Sequence, residues 1–440
     1  GSSANLIMTA ALFYRKENKL QPGDEVIVPA VSWPTTFYPL AQYGLKLKFV
    51  DIDKNTLNYD LNALKAAVSD KTRLIMVVNL LGNPNDFAQI NQIIAKKKAK
   101  DKLPTWYLSE NIIYPEKISI EQTSSETTAK YKASLVSGEN LIDCTGGFGI
   151  DDFYFSKQFK SVIHCELNAD LSKIVKHNFE VLKSTNIECY QGDSTQILEQ
   201  LNQKFDCIYI DPSRRNDAKG KVFMLADCLP NVVDLQDFYY QFTDIILIKT
   251  APILDLHAGL LELKNVVEIH IVAVDNEVKE LLWKIEKNFN DSPEIIAVNI
   301  EKEKQTITKI ESSKSYSARY NLPKKYLYEP NASLMKSGGF EAVSELFAVG
   351  KLHQHSHLYT SDELIDFPGR KFQIDEIVPF QKKEISQHIQ GKKMNVSTRN
   401  FPIKPEEIKK KYKITDGGTI FAFFTTNINN EKIILLCTKL

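Results

Sequence analysis

Leu141 to Asp151 reads LIDCTGGFGID, and the fold turns on how this stretch is understood. An apolar run ending on Asp143 predicts a strand. Gly146, Gly147 and Gly149 then predict a tight turn into a helix. Lacking a Cβ, these glycines let the backbone approach a bound nucleotide closely. Such a loop serves NAD, FAD or S-adenosylmethionine equally well, so by itself it fixes a class of ligand only.

The surrounding chain supplies the context. NLIDC (140–144), SVIHCEL (161–167), IECYQG (187–192), DCIYID (206–211), IILIKT (245–250) and VVEIHIVAV (266–274) are short apolar runs. Amphipathic stretches such as ADLSKIVKHNFEVL (169–182) separate several of them. That alternation predicts an α/β chain with a doubly wound, Rossmann-like parallel sheet. Glu166 ends the second run, where a carboxylate can accept both ribose hydroxyls of a nucleoside. Asp193 follows the third, and Asp211-Pro212 the fourth. In a parallel sheet these carboxyl ends line one crevice at the switch point of the strand order.

Bulk properties bound the rest. The 440 residues call for two to four domains, and 43% hydrophobic with 25% charged residues is a soluble, globular balance. No apolar run is long enough to span a bilayer. The six cysteines include no CxxC pair, so the expectation is buried thiols in a reducing cytoplasm, with neither disulfides nor a zinc site. Net charge is zero, yet residues 366–440 carry fourteen Lys/Arg against eight Asp/Glu. A lysine run, Lys96 to Lys102, lies further forward. Both read as solvated faces or as local polyanion contacts.

DCTGGFGID, Glu166 and Asp193 together resemble the class I S-adenosylmethionine-dependent methyltransferases. DPSRR (211–215) is similar to the Asp-Pro-Pro-aromatic motif of enzymes that methylate exocyclic base amines. Thr145 stands where the first glycine is usual, tolerable if its hydroxyl faces the cofactor, and Ser213-Arg214 stands in place of Pro-aromatic. From about residue 87 to 440 a closer likeness rests on KLPTWY, EQTSSETTAKYKA, DPSRR, KGKVF, DCLPNV, AVDNEVKELL and EPNASLMKSGGF. These resemble bacterial methyltransferases with a ferredoxin-like insert and a THUMP-like C-terminal domain, carried here by FQIDEIVPF and NVSTRNFPIKPEEIKKKYKI.

The resemblance implies S-adenosyl-L-methionine as cofactor, held by Asp143, Thr145, Gly146, Gly147, Gly149, Asp151, Glu166, Asp193 and Thr123. Ser125 and Glu126 are further candidates for the methionine end, or else the segment is a plain helix cap. It also implies an acceptor set of Asp211, Pro212, Ser213 and Arg214. Asp211 and the Pro212 carbonyl would each accept an exocyclic N–H and so turn the amine lone pair toward sulfur. The bland alternative is a strand-ending turn. The THUMP-like part implies an RNA partner met by Arg215, Lys392, Lys393, Arg399 and Lys410, in salt-dependent fashion. The rivals are a DNA adenine methyltransferase, a methyltransferase acting on a small molecule or a protein, and an inactive RNA-binding protein.

The HQHSH run (353–357) would align three imidazoles on one strand face, but no carboxylate or cysteine partner is apparent, so no metal is expected. Trp106 and Trp283 read as core residues. NEVKELLWKIEK (276–287) reads as a helix, followed by strands EIIAVNI and QTITKIE. The expected parts are 1–86, a lead-in at 87–132, the catalytic sheet at 133–272, a ferredoxin-like part at 273–345 and the THUMP-like part at 366–440.

The front differs in kind. GSSANL, LQPGDEVIVPAVSWPTT, KFVDID and KTRLIMVVNLLGNP resemble the DegT/DnrJ/EryC1/StrS pyridoxal-phosphate sugar aminotransferase and dehydrase family, particularly its 3-dehydrase branch. The likeness implies that Gly1, Ser2 and Ser3 hold a phosphate and that Trp33 stacks on a pyridine ring. The family's later aspartate and lysine or histidine are missing, so an inactive fragment, loosely packed on the rest, is expected. Both partners are truncated at the crossover near Asn85 to Phe87, which reads as two joined gene fragments more than as a natural fusion.

Overall fold

The structure is a computed structural model that describes residues 2–16, 18–115, 123–214, 224–302 and 304–440. Two units make up the chain: Gly1–Ala129 with Gly146–Lys157 and His164–Asp193, and Lys130–Thr145 with Gln158–Ile163 and Ser194–Leu440.

In the first unit a three-stranded parallel sheet runs Lys46–Val50, Glu25–Pro29, Thr72–Ile75. Val26, Ile27 and Val28 are buried without alternation, as a strand covered on both faces requires. Asp60 caps the helix Leu61–Ala67 by accepting from the Asn62 and Ala63 N–H groups, satisfying donors that the first turn leaves unpaired. Asp86 does the same for the helix Phe87–Lys102. That helix belongs to two cores. Its Ile90 packs with Ile27, Val50 and Leu64, whereas Ala95 and Ala99 pack with Trp106, Phe148, Phe153 and Phe179. The front segment is therefore not loosely attached: one helix enters the cores on both sides of the crossover.

In the second unit the strands Lys304–Glu311, Glu294–Glu301, Val266–Val274, Glu277–Glu286, Ile245–Thr250, Cys207–Ile210 and Gly138–Asp143 are consecutive neighbours in one sheet. The last three are parallel to one another, and Glu277–Glu286 is antiparallel to Ile245–Thr250. Residues 277–286 are thus a strand, where the sequence reads as a helix. The cause is a two-residue hairpin turn. Asp275 and Asn276 both take left-handed backbone, φ 49° and 62°, and Val274 pairs directly with Glu277. This is the turn geometry whose twist suits a tight hairpin. Leu281, Leu282 and Trp283 are buried in succession, as a central strand covered on both faces requires. Lys132, itself fully buried, forms an ion pair with Glu280 at 2.8 Å.

A second sheet of this unit runs Arg319–Tyr320, Gly350–Lys351, Tyr359–Ser361, Tyr326–Pro330, Gly369–Pro379, Lys432–Lys439, Ile420–Thr426, Asn395–Arg399. HQHSH lies on a turn before Tyr359–Ser361, not on a strand. Ser356 N–H donates to the His353 carbonyl, and the His357 ring stacks on Phe340 at 3.6 Å. Burial, with the charges of Lys351, His355 and Arg399, pushes the His357 pKa down to about 4. The His353 and His355 rings lie 5.5 Å apart, while His357 is engaged with Phe340. Among the described residues no group of His, Cys, Asp or Glu is arranged to hold a metal ion, no helix is long and apolar enough to cross a membrane, and none of the six cysteines is in a disulfide.

Candidate functional site

The glycine loop is built by close approach. Gly147 and Gly149 adopt φ of 56° and 75°, a region that penalises any side chain. Gly146 N–H donates to the Cys165 carbonyl at 2.9 Å, pinning the loop to the end of the strand Phe159–Glu166. The Glu166 carboxylate follows directly. Its Oε2 accepts from Gly147 N–H at 3.1 Å and its Oε1 from Asn168 N–H at 2.7 Å. Each carboxylate oxygen has two acceptor directions, so these bonds orient the group without exhausting it. Asp193 is exposed after Gly192, whose N–H donates to the Glu166 carbonyl.

Around this loop the first unit places several of the predicted residues. Ser124 Oγ donates to Asp151 at 2.9 Å, and Thr123 is half-buried just before it. Glu126, a candidate ligand by sequence, is committed to the protein. It is 3% exposed and accepts from Thr105 N–H, Thr105 Oγ1 and Tyr154 OH at 2.6, 2.8 and 2.5 Å. Ser125 Oγ accepts from Thr128 N–H and so acts as a helix cap. Beneath the loop His164 Nδ1 lies 2.7 Å from Asp152 Oδ2, both side chains fully buried.

Asp143, Thr145 and Asp211 belong to the second unit. Asp143 is buried at the end of Gly138–Asp143. Its Oδ1 accepts from Thr145 N–H at 2.7 Å and from Thr145 Oγ1 at 3.1 Å. Thr145 Oγ1 in turn accepts from Asp211 N–H at 2.7 Å. The hydroxyl that replaces a glycine therefore clasps the Asp-Pro motif to the first strand. Thr145→Val keeps the shape but strands the Asp211 N–H and leaves Asp143 with one donor fewer. We expect a loss of about 1–3 kcal/mol in unfolding free energy, measured by chemical denaturation, with Thr145→Ser close to wild type.

Pro212 is buried and Ser213 exposed. Ser213 and Arg214 pair with Leu229 and Cys228 in a short antiparallel ladder. Arg215, KGKVF and Gly1 lie outside the described residues. The Asp211 carboxylate forms an ion pair with Lys249, a residue that sequence reasoning missed. The signal was present, since Lys249 is the one charge in the apolar run IILIKT.

Of the basic residues in the tail, Lys392, Lys393 and Lys410 are exposed. Arg399 donates to buried Glu329 at 2.5 Å, and Glu329 also holds Arg370. Trp106 and Trp283 are fully buried. Trp283 donates its indole N–H to Thr250 at 3.0 Å.

Known proteins match this arrangement in parts. A ferredoxin-like domain family matches residues 326–368, a THUMP domain-like family residues 369–439, and the DegT/DnrJ/EryC1/StrS aminotransferase family residues 1–100. The crystal structure of a candidate methyltransferase from Porphyromonas gingivalis W83 superposes with TM-score 0.73 at 32% identity, covering 81% of this chain and 92% of that one. GDP-4-keto-6-deoxy-D-mannose 3-dehydratase of Escherichia coli O55:H7 is 66% identical over 94 residues, 21% of this chain and 24% of that protein. The enzyme of the same name from Yersinia pseudotuberculosis is 63% identical over 97 residues, 22% and 25% of the two chains. The chain spans about a quarter of the length of these curated relatives.

Proposed function

Because the chain belongs, from about residue 87 onward, to the methyltransferase family with ferredoxin-like and THUMP-like C-terminal parts, we propose that it methylates an exocyclic base nitrogen of RNA with S-adenosyl-L-methionine. One observation carries the reading. Asp143, Thr145 and Asp211 form a continuous hydrogen-bonded clasp that joins the strand leading into the glycine loop to the Asp-Pro motif.

The residues fit such a cofactor. The left-handed glycines turn the backbone tightly after Asp143 and bring Gly147 N–H onto Glu166, and this half-buried, pre-oriented carboxylate suits a ribose diol. Glycines 146, 147 and 149, Glu166 and Asp193 would hold the nucleoside, and Asp151 and Thr123 the methionine end. When bound, the sulfonium supplies an electrophilic methyl carbon. Asp211 accepts a hydrogen bond from the exocyclic N–H, and the Pro212 carbonyl accepts the second. The nitrogen lone pair is then held on the side from which in-line attack occurs, and the chain contributes orientation above all. Thr145 keeps the Asp211 backbone at its register while this happens.

RNA is favoured over DNA by the THUMP-like part, with exposed Lys392, Lys393 and Lys410 as phosphate contacts. The test is transfer of labelled methyl groups from S-adenosyl-L-methionine into total RNA, DNA and protein. Incorporation into RNA is expected. Incorporation into DNA alone moves the substrate to DNA, and cofactor binding with no incorporation supports an RNA-binding protein without activity.

A further inference from the structure

We propose that Lys249 determines which acceptor is methylated, reading it jointly with Asp211 and selecting a neutral heterocyclic amine over a protonated alkylamine. The inference rests on the methyltransferase reading above and deepens it. The strands Cys207–Ile210 and Ile245–Thr250 are parallel, with Ile210 opposite Ile248. Asp211 and Lys249 are therefore the next residues in register at the carboxyl ends of neighbouring strands. Their side chains form an ion pair, with the lysine 13% and the aspartate 34% exposed. Ile246, Leu247 and Ile248 are buried before Lys249, and Thr250 after it is held by the Trp283 indole, so the backbone that carries the lysine is anchored on both sides.

The chemistry of this pair is selective. A carboxylate beside an ammonium is neutral as a unit. It presents an acceptor and a donor side by side, the complement of an N–H next to a ring nitrogen or carbonyl oxygen. Nucleobase edges carry that pattern, and their exocyclic amines are uncharged near pH 7. A lysine side chain, with an ordinary pKa near 10.4, would bring a second ammonium to the same carboxylate and meet like-charge repulsion. With Ser213-Arg214 where Pro-aromatic is usual, this polar fork supplies in-plane orientation to the ring.

The experiment uses the full chain as wild type, Lys249→Met and Lys249→Arg. The acceptors are total RNA and poly-lysine, with labelled S-adenosyl-L-methionine as donor. Cofactor affinity is followed by calorimetry, and affinity for a fluorescent single-stranded RNA by anisotropy. In Lys249→Met the ratio of kcat/KM for RNA to that for poly-lysine is expected to fall about tenfold or more. The RNA KM should carry most of the change, cofactor affinity should hold, and Lys249→Arg should recover part of the loss. A merely structural lysine would lower both acceptors together. An unchanged ratio, or a wild type that prefers poly-lysine, overturns the inference while leaving a methyltransferase in place. If the wild type binds cofactor but methylates neither acceptor, the reading of RNA as the methyl acceptor fails. RNA affinity then decides this inference: equal affinity in Lys249→Met overturns it, and about tenfold weaker binding upholds Lys249 as an acceptor contact.

Discussion

Asp211→Ala is expected to lower single-turnover methyl transfer about 10²–10³-fold while cofactor affinity stays near that of the wild type. The asymmetry follows from where the side chain points its chemistry. The Asp211 backbone is held by Thr145 through its N–H, so truncating the side chain leaves the main-chain register intact. Glu166, which would hold the nucleoside, accepts from the Gly147 and Asn168 N–H groups, whereas the Asp211 carboxylate pairs with Lys249. What disappears is the acceptor for the amine N–H, and misplacing a reacting atom by an ångström costs roughly a hundredfold. Removal of one preorganised polar partner, the same loss seen from the other side, sets the range at about 10²–10³. Lys249 also loses its carboxylate, which lowers stability modestly because the pair is partly exposed. Asp211→Asn separates the two effects: its amide oxygen still accepts the N–H, so it should retain more transfer than alanine despite losing the ion pair. The measurement is labelled-methyl transfer under single-turnover conditions beside calorimetric titration of S-adenosyl-L-methionine. Activity in Asp211→Ala equal to wild type would remove Asp211 from the mechanism.

Much of this arrangement was legible from one periodic signal. Apolar runs closed by Asp143, Glu166 and Asp211 identify strands by their length and residues by their position at carboxyl ends, because parallel strands put those ends on one side. The missed elements share a different character. Residues 277–286 contain Glu, Lys, Leu and Trp in an order that suits a helix face, and only the Asp275-Asn276 pair announces a hairpin. A short turn signal was outweighed by side-chain composition. HQHSH alternates as a strand would, but its conformation is set by contacts distant in sequence, such as Phe340 under His357 and Asn400 beside His353. Glu126 sits in a polar segment that invites a ligand-binding reading, yet its partners Thr105 and Tyr154 are 21 and 28 residues away. Thr145 is the instructive case. Its departure from glycine reads as a tolerated blemish that points at the cofactor, whereas its hydroxyl accepts from the Asp211 backbone 66 residues on. Long-range polar pairing leaves no periodic trace, and that is where sequence reasoning stopped.

Gly146→Ala should be the most damaging single methyl in the first unit. Its backbone is not in the left-handed region, so the cost is one of space and not of φ. A Cβ built there would lie 2.1 Å from His164 Nδ1, 2.2 Å from Cε1 and 2.8 Å from Cγ. No carbon approaches an imidazole that closely, and the ring cannot swing aside cheaply. His164 is fully buried, paired with fully buried Asp152 at 2.7 Å, and its ring lies edge-on to Phe179 at 5.8 Å. Either the loop lifts from the Cys165 carbonyl that accepts its N–H, or the His164–Asp152 pair breaks. Overpacking of this kind costs about 1–3 kcal/mol, and disrupting a buried ionisable pair brings the expected total to about 3–5 kcal/mol. A displaced loop also moves Gly147 N–H away from Glu166 Oε2, so cofactor affinity should fall at least about tenfold, in contrast to Asp211→Ala. Chemical denaturation and calorimetric titration read the two quantities separately. A double-mutant cycle with His164→Ala identifies the cause, since contacting residues couple by roughly 0.5–3 kcal/mol. With the ring removed the added methyl has room, and Gly146→Ala should cost distinctly less in that background. If it costs the same in both backgrounds, the imidazole is not what the glycine makes way for.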